Sequence, residues 1–407
     1  MADQTTDPAT APGPRTGGGP DGRPTGGRAR AWVLLKQLPA RADSGGRQRS
    51  RAALDAYAAV FDEVHVVGFD RWPTWREDLP PHVQVHEIDA PRPTPGAVLR
   101  SSVFAGKWYS PEIAALLSAE VRGLDVLHVD FPQMAVNVPA DVRIDVLDLH
   151  NIEADLLRRR LRTEHGLLGR LLAPEVARFA RFELSAARRA VHVTACSRLD
   201  QEVLREAGVP STFVPNGVVV PEQPAPPAPG EGRAIFVGAM DYGPNKAALR
   251  WFLDEVWPRV RVAAPQARFT AVGRGLAGSH PRPAGEPEGA EFASDVDSLD
   301  PYYAAADVCV VPLLSGGGTK IKLVEAMTRG RAVVTTSLGL EGLEEHRDVV
   351  RVADGAEAFA TALAGLLTDP ATARELGAAA RERTATFSWE SSMEALRDLL
   401  QKIRHQM

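Results

Sequence analysis

Val310–Met327 reads VVPLLSGGGTKIKLVEAM. The apolar opening is short and suits a buried parallel strand, whereas KLVEAM has the apolar spacing of a helix. Between them lie Gly316, Gly317 and Gly318, then Thr319, a residue suited to cap a helix N-terminus. Strand, glycine turn and helix make one unit of a doubly wound α/β sheet. The first N–H groups of such a helix have no intrahelical partner, and glycine lets a ligand approach them, so this is an anion site by geometry. Lys320 and Lys322 add positive charge, and Lys322 and Glu325, three apart, share a helical face. An ordinary strand–turn–helix with a surface Lys–Glu pair has the same pattern.

The alternation extends in both directions. RAVVTTS (Arg331–Ser337) follows, and AIFVGAM (Ala234–Met240), a helix near Ala247–Val262 and RFTAVGRG (Arg268–Gly275) precede. Five prolines and two glycines in Val218–Arg233 exclude a helix or a central strand and read as a linker. Before it, AWVLLKQL from Ala31, EVHVVGF from Glu63, DVLHVD (Asp125–Asp130), IDVLDLH (Ile144–His150) and VHVTACS (Val191–Ser197) read as strands, with a helix from about Gln48 to Val60. The spacing predicts two doubly wound domains facing a cleft. Its bounds are a disordered tail over 1–30, a first domain over 31–217, the linker over 218–233, a second domain over 234–388 and a terminal helix over 389–407.

Composition excludes several classes. The 407 residues hold 47 Lys and Arg against 52 Asp and Glu, a net charge of -5 that argues against a dedicated nucleic-acid binder. Two cysteines in apolar runs, Cys196 and Cys309, read as buried thiols and offer no zinc site. No apolar run approaches the ~20 residues of a membrane span. The start of the chain has no apolar core for a signal peptide, so the expected location is the cytoplasm. Nine arginines against four acidic residues over 154–190 read first as a solvated helix face, with weak peripheral contact to an anionic membrane as the second reading.

Three further stretches carry chemistry. His150 and Asn151 end a strand, where open parallel sheets bind ligands, although a lone histidine there also serves structure. Pro244, Asn245 and Lys246 open a helix, placing Lys246 where a phosphate role and a solvated surface role are both natural. Gly45 and Gly46, in the loop after the first strand, leave room for a phosphate or sugar, or form a plain connection. No phosphate loop of the ATPase order is present, since Thr319 precedes Lys320.

Taken together, GGGTKIKLVEAMTRGRAVVTTSLGLEGL, LDLHNIEADLLRRR, VPNG and FVGAMDYGPNKAALRWF resemble, in order, the glycosyltransferase family 4 pattern (glycosyl transferases group 1) over about Ala31–Trp389. The resemblance implies the GT-B fold, two Rossmann-like domains across a central cleft. It also implies a retaining, metal-independent hexosyltransferase with no cofactor. A nucleotide-diphosphate sugar would be bound mostly by the second domain and a hydroxyl-bearing acceptor mostly by the first. On it, Glu325 looks like the carboxylate that holds the donor ribose. The Gly316–Thr319 loop and Lys322 look like diphosphate contacts. His150 looks like the cleft histidine near the donor sugar, and Gly45 and Gly46 like the first-domain glycines over the phosphates. The chain departs from the pattern at Gly317, where many members carry glutamate, and at Ala239, where many carry arginine; Lys320 is the substitute cation. A nucleotide-sugar epimerase of the same fold and a non-catalytic nucleotide-sugar binder are the competing readings.

Overall fold

The computed structural model describes residues 28–38, 45–69, 79–120, 126–164, 166–221, 226–240, 242–276, 287–316 and 320–407, with backbone alone for residues 160, 162–164 and 166–170. Gly317, Gly318, Thr319 and nearly all of the expected tail lie outside the described residues.

Among these residues, two wholly parallel sheets form. The first contains β1 (Arg30–Leu35), β2 (Glu63–Phe69), β3 (Val83–Ile88), β4 (Val126–Asp130), β5 (Ile144–Leu149), β6 (Ala190–Ala195) and β7 (Thr212–Phe213), in the order β3-β2-β1-β4-β5-β6-β7. The second contains β8 (Arg233–Val237), β9 (Arg268–Gly273), β10 (Ala290–Ser294), β11 (Val308–Val311), β12 (Ala332–Thr335) and β13 (Arg351–Val352), in the order β10-β9-β8-β11-β12-β13. Central strands such as β4, β5, β11 and β12 are buried on both faces, which is why they read as apolar runs without alternation. Strand order reverses between β1 and β4 and again between β8 and β11, so each sheet has a crevice at the carboxyl ends of those strands.

Two local expectations are corrected. The first helix is Gly45–Val60, so Gly45 and Gly46 are its opening turn and not a loop before it. In the second half, the helix begins at Gly243 and runs through a π-helical segment, Phe252–Val256, into Trp257–Ala263. Pro258 has no N–H to return to the preceding turn, which accounts for the widened segment.

The halves are tied where the chain crosses between them. The Val218 N–H donates to the Phe387 carbonyl at 2.7 Å, and Val218 bridges Ser388. The final helix, Glu394–His405, then returns to the first half and lays Leu396, Leu399, Leu400 and Ile403 into the core formed by the first helix with Val33, Val64 and Val126. Arg404 completes this return by pairing with Asp62 at 3.0 Å. Cys196 and Cys309 are buried thiols, each pushed up to about 12 by burial.

Several arginines of the 154–190 region serve the fold. Arg178 donates to the carbonyls of Val98 and Leu99, Arg189 to those of Pro139 and Val142, and Arg188 to that of Ala207. Among the described residues, no helix is long and apolar enough to cross a membrane.

Because Leu400 is fully buried between the last helix and the first, Leu400→Ala is expected to cost about 2–4 kcal/mol of stability. Urea unfolding followed by circular dichroism measures this. A midpoint equal to that of the wild type would show that the last helix adds nothing to the first core.

Candidate functional site

The two crevices open into one cavity of about 640 Å³. Gly45, Gly46, Phe131, His150 and Asn216 line it from the first half; Gly238, Asn245, Gly316, Lys320, Lys322 and Glu325 line it from the second. The approach is close: a Cβ on Gly45 would overlap Cδ1 of Ile321, the first residue of the helix Ile321–Thr328. Both helix N-termini therefore face the same space, with the positive ends of their backbone dipoles toward it.

On the second half's wall, Gly316 has φ 121, a backbone region that glycine alone adopts freely, and this turns the chain from β11 toward the helix. The helix cap position is Lys320, not Thr319, and its side chain makes no cap hydrogen bond. Lys322 and Glu325 both face the cavity, one helical turn apart. Lys322 donates to Oδ1 of Asn245 and stands 4.7 Å from the Phe236 ring centroid. Each keeps part of its surface on the cavity, although both lie deep below the outer surface. Burial lowers the Lys322 ammonium to about 8 and raises the Glu325 carboxyl.

Two expected cations stand differently. Lys320 lines the cavity, but its ammonium lies 3.5 Å from Glu341, which also faces Arg159 across the cleft at 3.3 Å. Lys246 is exposed and does not line the cavity; its neighbour Asn245, 6% exposed, does. The cause is helix periodicity: the face carrying Asn245, Ala248 and Leu249 is turned inward, and Lys246 falls outside it.

On the first half's wall, His150 is 5% exposed and fixed by a buried charge cluster. Its Nε2 lies 2.6 Å from Asp130 Oδ1 and 3.5 Å from Asp148 Oδ2. Arg49 grips both oxygens of Asp148, Nε donating at 2.8 Å and Nη2 at 2.7 Å, while Ser50 donates to Asp130 at 2.8 Å. Burial alone would lower the pKa of His150, and the adjacent N-terminus of the first helix also disfavours its charge. The carboxylates of Asp130 and Asp148 outweigh burial and raise the imidazole to about 9. His150 is therefore protonated at neutral pH. Nε2 is spent on Asp130, and Nδ1 lies toward Gly46. The Phe131 ring, held at the unusual φ of 68, lies with its centroid 3.8 Å from that of His150.

His128, Asp130 and Asp148 each bring one atom that could ligate a metal within 4.8 Å of the others. The two carboxylates are already neutralised by Arg49 and His150. A divalent ion there would add two uncompensated buried charges, so these residues do not fit a metal.

Residues 231–369 match the profile of the family described as Glycosyl transferases group 1. Over those residues the chain is similar to the group 1 glycosyltransferases. Among curated proteins, it is 32% identical over 193 residues to a phosphatidyl-myo-inositol mannosyltransferase of Mycolicibacterium smegmatis, a match covering 45% of this chain and 49% of that protein. It is 27% identical over 134 residues to an uncharacterised 44.6 kDa protein in the cps region of Klebsiella pneumoniae, covering 31% and 34%. The chain thus spans about half, or less, of the length of these relatives. Among solved structures, WaaG, a glycosyltransferase involved in lipopolysaccharide biosynthesis, superposes with a TM-score of 0.63 at 16% identity, over 91% of this chain and 99% of that one. HepE of Anabaena in complex with UDP and glucose gives 0.63 at 16%, over 92% and 99%. At such identities the likeness concerns the fold, and the fold is GT-B.

Arg49, Asp130, Phe131, Asn216 and Asn245 belong to the site and were not singled out from sequence. For Asp130 and Asn216 a signal existed: Asp130 ends the strand stretch DVLHVD, at the sheet end where ligands bind, and Asn216 lies in VPNG. For Arg49 none did, since an arginine in the first turn of a helix is ordinarily solvated.

Replacing Asp130 with asparagine is expected to lower the His150 pKa from about 9 to below its ordinary value, because burial then acts with one carboxylate fewer. An NMR titration of the His150 ring measures it. The raised folded-state pKa also makes the wild type's contribution complete below about pH 6.5 and lost as pH rises through about 9. The variant is expected to lose that slope in pH-dependent melting.

Proposed function

We propose that this protein is a retaining, metal-independent glycosyltransferase. It transfers a hexosyl or N-acetylhexosaminyl group from a nucleoside-diphosphate sugar, bound by residues 234–388, to an acceptor hydroxyl on the side of residues 31–217. One observation carries the reading: the Lys322–Glu325 pair faces His150 across a single cavity that joins the crevices of both sheets. A volume of about 640 Å³ is ample for such a donor.

The roles follow from charge. Glu325, an acceptor of hydrogen bonds with partial access to the cavity, suits a ribose diol. Lys322 and the helix N-terminus at Ile321 suit the diphosphate, where negative charge grows as the glycosidic bond breaks. His150, charged at neutral pH, cannot act as a base and instead donates Nδ1–H to the sugar. Asp130 and Asp148 are spent on His150, Ser50 and Arg49, so neither is available as the carboxylate nucleophile or base of glycosidase chemistry. This supports direct transfer. The acceptor oxygen bonds to the anomeric carbon on the face from which the diphosphate departs. The electron pair leaves with the diphosphate, and the hydroxyl proton passes to one of its oxygens. HepE, solved with UDP-glucose, makes that nucleotide sugar the first donor to test.

Glu325→Gln is expected to weaken donor binding about ten- to hundred-fold, as two hydrogen bonds lose a charged acceptor. Calorimetry against UDP-glucose, GDP-, dTDP- and ADP-sugars measures this. An unchanged affinity in a folded variant would remove Glu325 from the ribose site.

Turnover is expected to persist in EDTA, because cationic side chains and backbone N–H groups take the place of a metal at the diphosphate. Loss on chelation, restored by magnesium or manganese, would refute the metal-free reading.

A further inference from the structure

A second cavity of about 190 Å³ adjoins the first and shares Leu156, Tyr242, Ser315 and Gly316 with it. Its inner end is chemically distinctive. Lys36, at the carboxyl end of β1, holds its ammonium 4.9 Å from the centroid of the Trp108 ring and 4.6 Å from that of Phe131. Among the described residues, it has no carboxylate within ion-pair distance. Lys107 adds a second ammonium 5.8 Å from the Trp108 centroid. Among the described residues, Glu153 is the one carboxylate lining this cavity, and it accepts a hydrogen bond from Gln133 at 2.8 Å.

A cation steered by two aromatic faces, partly shielded from water and lacking an anionic partner, is poised for an anion. The position matters. Phe131, which Lys36 overlies, also packs against His150, so the ammonium lies one ring away from the side chain placed at the reacting sugar. Trp108, half-buried and lining the cavity, offers an apolar surface for the carbons of a sugar or polyol ring.

We propose that this cavity holds the acceptor, and that the acceptor is an anionic polyol: a hydroxyl compound whose phosphate or carboxylate group binds Lys36 while its ring lies on Trp108. The inference rests on the glycosyltransferase reading and adds to it the charge class of the second substrate.

The test uses the full chain saturated with UDP, so that the anion site of the donor cleft is already filled. The indole N–H resonance of Trp108, assigned with Trp108→Phe, is followed while inorganic phosphate, glucose 6-phosphate and methyl α-glucoside are titrated separately. The expected result is a phosphate-dependent shift and binding of glucose 6-phosphate about ten-fold tighter than that of the neutral glucoside. Lys36→Gln should abolish both the shift and the preference while leaving UDP affinity unchanged. Equal binding of charged and neutral sugars, or no response to phosphate, would overturn the proposal. So would a loss of UDP affinity in Lys36→Gln, which would assign the lysine to the donor. Failure of the wild type to bind any nucleotide would instead strike the glycosyltransferase reading itself. Transfer to glucose 6-phosphate in solution, or to phosphatidylglycerol in vesicles, separates a free phosphate ester from a lipid headgroup, and either supports an anionic acceptor. Transfer confined to methyl α-glucoside would refute it.

Discussion

The guanidinium of Arg49 lies beneath the cavity floor with 1% of its surface exposed, and it ties the first helix to two other segments of the chain. It holds Asp148 of β5 through two hydrogen bonds, donates to the Val214 carbonyl at 2.8 Å, and donates to Oδ1 of Asn216 at 3.1 Å. Asp148 in turn receives the hydroxyl of Thr194 on β6. Without Arg49, the pair Asp130 and Asp148 would face each other with a single compensating charge, that of His150. Breaking a buried pair from one side costs far more than never having built it. The orientation of His150, the start of the first helix and the exit of the chain toward the second half all depend on this one cation.

The second constraint is that both sheets reverse their strand order at the same cleft. Parallel strands end with their carbonyls pointing out of the sheet, and the helices that follow begin there with free N–H groups. When two such ends face one another, the enclosed space has positive helix termini on both sides. Gly45 lets these termini approach, because any side chain there would press on Ile321. The same geometry explains how an anionic ligand could be held without a metal: the partial charges are built into the backbone and reinforced by Lys322 and His150.

Much of the fold and part of the site were legible in the sequence, for identifiable reasons. Apolar strand runs, glycine turns and helical spacing recur locally, so the two parallel sheets follow from short-range patterns. Lys322 and Glu325 were legible because their spacing fixes a shared helical face once the helix is recognised. Which of its two roles Lys246 takes was not legible, because a helix N-terminus has a lateral orientation as well as a position, and that orientation depends on which face packs against the sheet. The first helix begins earlier than its composition suggests because Gly45 and Gly46 sit where close packing, not helix propensity, selects the residue.

By itself, the sequence determined the class of architecture, the location of the glycine-flanked helix start after β11, and the identity of the residues at strand ends. These depend on periodicity and on backbone restrictions that act within a few residues. Only the tertiary structure decided the charge state of His150, since that depends on Asp130, Asp148 and Arg49, brought together from positions as far as 101 residues apart. It alone turned Asn245 and not Lys246 toward the cavity, set the Lys320 ammonium against Glu341, and placed Lys36 over Trp108 and Phe131. Each of these is a matter of distance and burial between segments remote in the chain, and electrostatic energy in a protein interior is governed by distance and burial.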